Sequence, residues 1–205
     1  MKNVLNNTRK RFLMVTLFAT LLSFANDASY FSFKDDAEKT SVTLSDVKAG
    51  NLLSIKDDNG MVLYKELIQK TGTYTKGFDL TSLPDGSYFF ELDKDVEITT
   101  IPFTVNNNTV AFQKELESTI FKPVTRIKGD MVYISRLSLN KAPLEIAVYF
   151  TSENGVTSVP ELMHSETITN TENVSRIFRL SGLNKGDYKI VYKTEGKVFT
   201  ESISK

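Results

Sequence analysis

Phe78-Asp79-Leu80-Thr81-Ser82-Leu83-Pro84-Asp85-Gly86-Ser87-Tyr88 returns further along the chain as Phe178-Arg179-Leu180-Ser181-Gly182-Leu183-Asn184-Lys185-Gly186-Asp187-Tyr188. Five positions are identical (Phe, Leu, Leu, Gly and Tyr) at a constant offset of 100 residues. Upstream, Asp58-Asn59-Gly60 matches Glu153-Asn154-Gly155 at an offset of 95, so the few inserted residues fall between the blocks, where loops lie. Self-similarity at a fixed period is the mark of repeated units. Two copies of one domain is the simplest reading. Coincidental likeness between two all-β segments is the alternative.

Outward from these blocks, each copy reads as short strands. Leu144, Ile146, Val148 and Phe150 alternate with Glu145, Ala147, Tyr149 and Thr151, a period of two. Tyr88, Phe90 and Leu92 alternate with Phe89, Glu91 and Asp93, and Tyr188, Ile190 and Tyr192 with Lys189, Val191 and Lys193. Asn59-Gly60 and Asn154-Gly155 are hairpin signals, because both residue types take the positive φ of a tight primed turn. No stretch carries a long 3.6-residue apolar period. The sequence predicts an all-β protein of two tandem immunoglobulin/fibronectin type III-like β-sandwiches behind a signal peptide.

The shared phrase Leu-x-x-Gly-x-Tyr has a mechanical meaning. In immunoglobulin-like sandwiches a Tyr near the start of the penultimate strand folds its hydroxyl back to the backbone a few residues upstream. The Gly serves the tight turn into that strand. Leu83, Gly86, Tyr88, Leu183, Gly186 and Tyr188 are therefore assigned structural roles. Two residues after each Tyr, where antibody domains place a Cys, this chain has Phe90 and Ile190, so apolar packing replaces the inter-sheet disulfide.

Composition narrows the chemistry. The 205 residues carry 25 Lys+Arg against 25 Asp+Glu with 40% hydrophobic residues, an ordinary globular balance that excludes wholesale disorder. There is no Cys, no Trp and one His, which rules out disulfides, thiolate metal sites, a His-rich metal centre and a Trp sugar platform. At the N-terminus, Lys2, Arg9, Lys10 and Arg11 precede the apolar run Phe12 to Phe24, and Ser23-Phe24-Ala25 supplies small residues. This is the order of a secretory signal, with cleavage after residue 25 and a mature start at Asn26. The run is shorter than the roughly 20 residues needed to span a bilayer. Without those four bases, 21 remain against 25 acids, a net charge of −4 and no electrostatic footprint for nucleic acid. No second long apolar run follows, so the sequence predicts no membrane span after signal removal, and a secreted, periplasmic or surface location.

Asn51 to Val105 resembles the small immunoglobulin-like modules of exported Bacteroidetes proteins, in its apolar strand, D-x-N-G turn, L-x-x-L-x-x-G-x-Y phrase and closing strand. It is similar both to a secreted family of unknown function and to the type IX secretion C-terminal sorting domain. The second copy, from Gly186-Asp187-Tyr188-Lys189-Ile190-Val191-Tyr192 to Gly196-Lys197 and Lys205, resembles the sorting domain in its ending. It departs from that pattern at Glu153-Asn154-Gly155-Val156, and the chain has no large passenger domain. The expected layout is a signal peptide over 1–25, an N-terminal segment over 26–39, one sandwich over 40–117 and a second, sorting-type sandwich over 118–205.

Candidate chemical residues read as structural. His164 and Ser165 are adjacent, so on a strand they point to opposite faces, and no G-x-S-x-G elbow exposes a nucleophile. Asp57-Asp58-Asn59-Gly60 offers oxygen ligands without the twelve-residue spacing of an EF-hand, and reads as a solvated hairpin tip. Asp35-Asp36 and Asp93-Lys94-Asp95 read as polar turns. Asn107-x-Thr109 and Asn173-x-Ser175 match the glycosylation sequon, which carries no such meaning in the bacterial source the resemblance implies. Tyr30, Phe31 and Phe33 form either an extra strand packed on the first sandwich, the favoured role, or an exposed binding stripe. The sequence thus predicts a protein that is not an enzyme and uses no cofactor. Its expected partner is an envelope or secretion-system protein, with an extracellular carbohydrate or peptide as the alternative ligand.

Overall fold

The computed structural model describes residues 29–36, 39–152, 159–179 and 186–204. The expected signal segment, the Asn154-Gly155 turn, Leu180 and Leu183 lie outside the described residues. Within them the regular structure is strand, apart from the 3₁₀ turns Leu80–Ser82 and Lys114–Leu116. The strands are β1 (Phe31–Asp36), β2 (Lys39–Val47), β3 (Leu52–Asp57), β4 (Val62–Leu67), β5 (Gly72–Phe78), β6 (Gly86–Asp93), β7 (Glu97–Asn106), β8 (Thr109–Phe112) and β9 (Ser118–Phe121). There follow β10 (Val124–Lys128), β11 (Met131–Leu137), β12 (Leu144–Ser152), β13 (Glu161–Ile168), β14 (Asn173–Arg179), β15 (Gly186–Thr194) and β16 (Lys197–Ser204).

The sheet orders are β1-β2-β5 and β4-β3-β6-β7-β8, then β10-β11-β14 and β13-β12-β15-β16. Adding nine to the numbers of β1 to β7 converts the first pair of sheets into the second. The register of the last hairpin repeats as well. Tyr88 faces Phe103 and Leu92 faces Thr99, while Tyr188 faces Ile203 and Tyr192 faces Phe199, each at the offset of 100. The alternating runs put their odd or even set inward as the period of two requires. Leu144, Ile146, Val148 and Phe150 are buried, as are Tyr88, Phe90, Leu92, Tyr188, Ile190 and Tyr192.

Each pair of sheets encloses its own core. The first draws Val42 and Leu44 from one sheet and Leu53, Ile55, Phe90 and Phe103 from the other, and the second joins Val132 and Ile134 to Ile146, Tyr188 and Tyr192. Burying each such side chain stabilises by about 1.5–3 kcal/mol before entropy is counted. Phe31 and Phe33 enter the first core through β1, Phe33 stacking on Phe112 with ring centroids 3.7 Å apart. Part of the stretch set apart as 26–39 is therefore a strand of the first unit. In the second core the buried Tyr192 hydroxyl, pushed up to about 12 by burial, meets Thr125 Oγ1 at 2.5 Å across the sheets.

Two expectations need correction. The Asn59-Gly60 hairpin is not a primed turn, because only Gly60 has positive φ, at 82°. Asp57 Oδ1 accepts from the Asn59 and Met61 backbone N–H groups at 3.0 and 2.7 Å, and Asp57 N–H donates to Met61 O. That carboxylate holds an ordinary turn closed by a glycine bulge. The primed geometry falls instead at Asn107-Asn108, with φ of 47° and 58°, where the sequence showed only a sequon. The boundary drawn between 117 and 118 cuts through one sheet. β9 pairs with β7, Glu97 facing Phe121, so the first unit's sheet runs through Phe121.

Candidate functional site

The six residues assigned to the repeat phrase occupy unequal positions. The Tyr88 hydroxyl donates to Pro84 O at 2.8 Å, four residues upstream, and its ring stacks on Phe103. Leu83 is half-buried against the first core. Tyr188 is 2% exposed with its ring 5.0 Å from Phe150. The glycines differ more. Gly86 lies outside the positive-φ region, and a Cβ there would only touch the Tyr88 hydroxyl at 3.4 Å and its ring at 3.6 Å, so the turn into β6 does not depend on its backbone freedom. Gly186 has φ of 151°, and a Cβ would meet Thr151 O at 2.3 Å and the Phe150 ring at 2.8 Å. The same letter serves ring clearance in one copy and close backbone approach in the other.

The densest polar chemistry lies where the two units meet, and the sequence reading passed over it. Glu91 is on the outward face of β6, yet only 6% exposed. Its carboxylate accepts from Lys56 Nζ of β3 at 2.6 Å and from Lys197 Nζ of β16 at 2.5 Å. Burial pushes this carboxyl up, but the hydrogen bonds and charge of the two lysines outweigh it and hold the group below its ordinary value. Arg136 occupies an inward position of β11 and is 3% exposed. Its guanidinium donates to Phe121 O at 3.1 Å, Ala142 O at 3.2 Å and Glu195 Oε2 at 2.5 Å, and Asn140 Nδ2 holds the other Glu195 oxygen at 2.6 Å. Burial pulls the Arg136 pKa down and Glu195 pulls it back.

Between the units only Lys122-Pro123 stands outside a strand. Lys122 is fixed to the first unit, since its ammonium binds Asp93 and Lys94 O, and its N–H donates to Val96 O at 2.8 Å. The preceding carbonyl is held by Arg136 of the second unit. Pro123 restricts the chain at that step. The connection is clamped from both sides.

The second unit also contains an apolar slot of about 220 Å³ between its sheets, lined by Val132, Val148, Met163, His164, Phe178, Arg179, Tyr188, Ile190 and Ile203. It runs from His164 on one edge strand of the four-stranded sheet to Ile203 on the other. His164 sits edge-on to Phe178 at 5.3 Å, as Tyr64 sits edge-on to Phe78 at 5.1 Å in the first unit. Its Nε2 is 3.7 Å from Glu166 Oε1, while Ser165 lines a separate hollow on the opposite face of the sheet. Among the described residues no group of three or more His, Asp or Glu is placed to hold a metal ion, and no helix is long and apolar enough to cross a membrane.

No family model matches this chain, and no curated protein does. Among solved structures it is similar to "Biofilm associated protein - BSP domain", at 13% identity over 85% of this chain with a TM-score of 0.27. It is also similar to native alpha-2-macroglobulin from Escherichia coli spanning domains MG0-NIE-MG1, at 11% identity over 85% of this chain with a TM-score of 0.24. The chain spans 28% of the first of these and 69% of the second. With TM-scores this low, the fold assignment rests on the strand pairing and the two cores.

Proposed function

We propose that this is an exported, non-catalytic protein of two tandem immunoglobulin-like sandwiches that serves attachment at the cell envelope through protein contact. The observation that carries the reading is the clamp at the connection, with Glu91 between Lys56 and Lys197 and Arg136 on Phe121 O. Modules joined by flexible linkers reorient freely, whereas a short, pinned connection keeps a fixed reach between an anchored end and a presented surface. The basic, apolar and small-residue order of residues 1–25 supports export. Protein recovered from the extracytoplasmic fraction is expected to begin near Asn26, and small-angle scattering is expected to fit one rigid arrangement. An intact Met1 terminus in the cytoplasm, or scattering that requires a broad ensemble, overturns the reading.

Within this proposal the second unit is a type IX sorting-type module, on its resemblance at Gly186 to Lys205. Residues 124–205 fused behind a signal peptide and a fluorescent protein are expected to carry that cargo past the outer membrane of a type IX host. Periplasmic retention of a folded fusion removes the sorting role. A carbohydrate or peptide ligand is the second reading. It draws on Tyr133, 39% exposed beside Arg126 and Ile177 on the outer face of the β10-β11-β14 sheet. A glycan array with wild type and Tyr133→Ala separates it from protein attachment.

A further inference from the structure

In the first unit the outer edge of β7 is occupied along both halves, by β9 over Glu97–Thr100 and by β8 over Phe103–Asn106. β8 also supplies a ring to the core. Phe112 lies 5.5 Å from Phe103 and 6.4 Å from Phe90, besides stacking on Phe33. β16 holds the place of β7 in the second unit, in the same register against its neighbour, and its outer edge bears no strand among the described residues. The counterparts of Phe90 and Phe103 are Ile190 and Ile203, and both line the 220 Å³ apolar slot. Val198 stands 63% exposed where its counterpart Ile98, facing Ile120 of β9, is 3% exposed. One unit therefore has a covering strand and ring volume at this edge, and among the described residues the other has neither.

We propose that β16 is a docking edge that takes an extended strand from another polypeptide, with an aromatic residue of that strand set over Ile203. It rests on the protein-attachment reading and names the surface that reading needs. An uncovered strand presents a row of N–H and C=O groups ready to pair, and strand addition takes its affinity from those groups and its specificity from alternate side chains. The eight paired residues of β16 run without a bulge or a Pro, unlike β13, whose register shifts opposite Val148/Tyr149. The first unit's own β8, Thr109-Val110-Ala111-Phe112, gives the chemistry of the occupant: small or β-branched residues ending on a ring, with no charge at the anchor.

The test gives the second unit the strand that the first possesses. A copy of residues 106–113 is appended directly after Lys205 in the chain of residues 1–205. Hydrogen exchange of the outward-pointing amides at the Ile203 end of β16, the counterpart of the stretch of β7 that β8 covers, is expected to slow at least about tenfold, as for amides moved from a sheet edge to its interior. The same eight-residue sequence, added as a free peptide to the unextended chain, is expected to shift the NMR signals of β16 and Ile203, and to leave the extended chain unshifted. Unchanged β16 exchange in the extended chain, or peptide binding that the extension does not block, overturns the proposal. Concentration-dependent dimerisation of the unextended chain that the extension abolishes overturns it too, by assigning the edge to a second copy. These readouts concern this edge alone, whereas export and attachment are read from fractionation and scattering.

Discussion

Lys197 Nζ meets Glu91 Oε2 at 2.5 Å, joining residues 106 positions apart and tying the last strand of the second unit to the centre of the first unit's larger sheet. The contact matters because Glu91 is otherwise enclosed, and a buried carboxylate is stable only when paired.

Glu91→Gln is expected to destabilise the protein at neutral pH by about 1.5–3 kcal/mol, the range for a hydrogen bond to a charged group. The pH dependence follows from the lowered pKa of Glu91. A carboxylate depressed in the folded state contributes stability that is complete above its unfolded value, about 4.3, and lost as pH falls through the folded value. Thermal melts should therefore separate wild type from Glu91→Gln near neutrality and bring them together in acid below about pH 4. A gap that persists unchanged in strong acid contradicts the ionic clamp.

Arg136→Met should cost about 3–5 kcal/mol, as when one member of a buried ion pair is removed. It takes the guanidinium from Glu195, which keeps only Asn140 Nδ2, and removes the Arg136 donor from the Phe121 and Ala142 carbonyls. Scattering should also report a looser angle between units, because Phe121 O is the first unit's side of the joint. Loss of stability with an unchanged scattering profile would confine Arg136 to the second unit's fold.

Gly186→Ala and Gly86→Ala form a matched pair. The added methyl at 186 meets a backbone oxygen at 2.3 Å in a conformation that side chains rarely adopt, so a loss of about 2 kcal/mol or more is expected. At Gly86 the nearest atoms are 3.4 Å away, and the change should fall within about 1 kcal/mol of neutral. Urea melts of the two variants give the comparison, and equal losses would contradict the distinction.

Tyr88→Phe removes the hydroxyl that donates to Pro84 O and leaves the ring on Phe103. The expected cost is about 0.5–1.5 kcal/mol, with amide exchange near Leu83 and Pro84 accelerated. A neutral substitution would mean that ring packing alone fixes the corner.

The strands were legible because side-chain alternation and turn chemistry are local. The run from Leu144 to Phe150 buries every second residue as its letters indicate, and the two Leu-x-x-Gly-x-Tyr blocks enter strands of identical register against their partners. The edges of the units were harder to read. Nothing within Ser118–Phe121 reveals that this short segment returns to pair with Glu97–Thr100. Asn59-Gly60 misled because the Asp57 side chain, two residues earlier, captures the backbone into a different turn.

Sequence alone determined the strand period and the all-β class, since each depends on residues within a few positions of one another. Tertiary structure decided the joint, the slot and the bare edge. Glu91 looks like an ordinary surface charge in an alternating strand and becomes buried only because a second unit packs over it, while Arg136 is a charge in phase with Val132 and Ile134 whose partners lie far along the chain. The slot follows from Ile190 and Ile203 standing where the first unit has Phe90 and Phe103, and the exposure of Val198 from the absence of any strand beside β16 among the described residues. Burial and volume depend on which distant segments come together, so a strand's own pattern records which face turns inward but not what covers the other face.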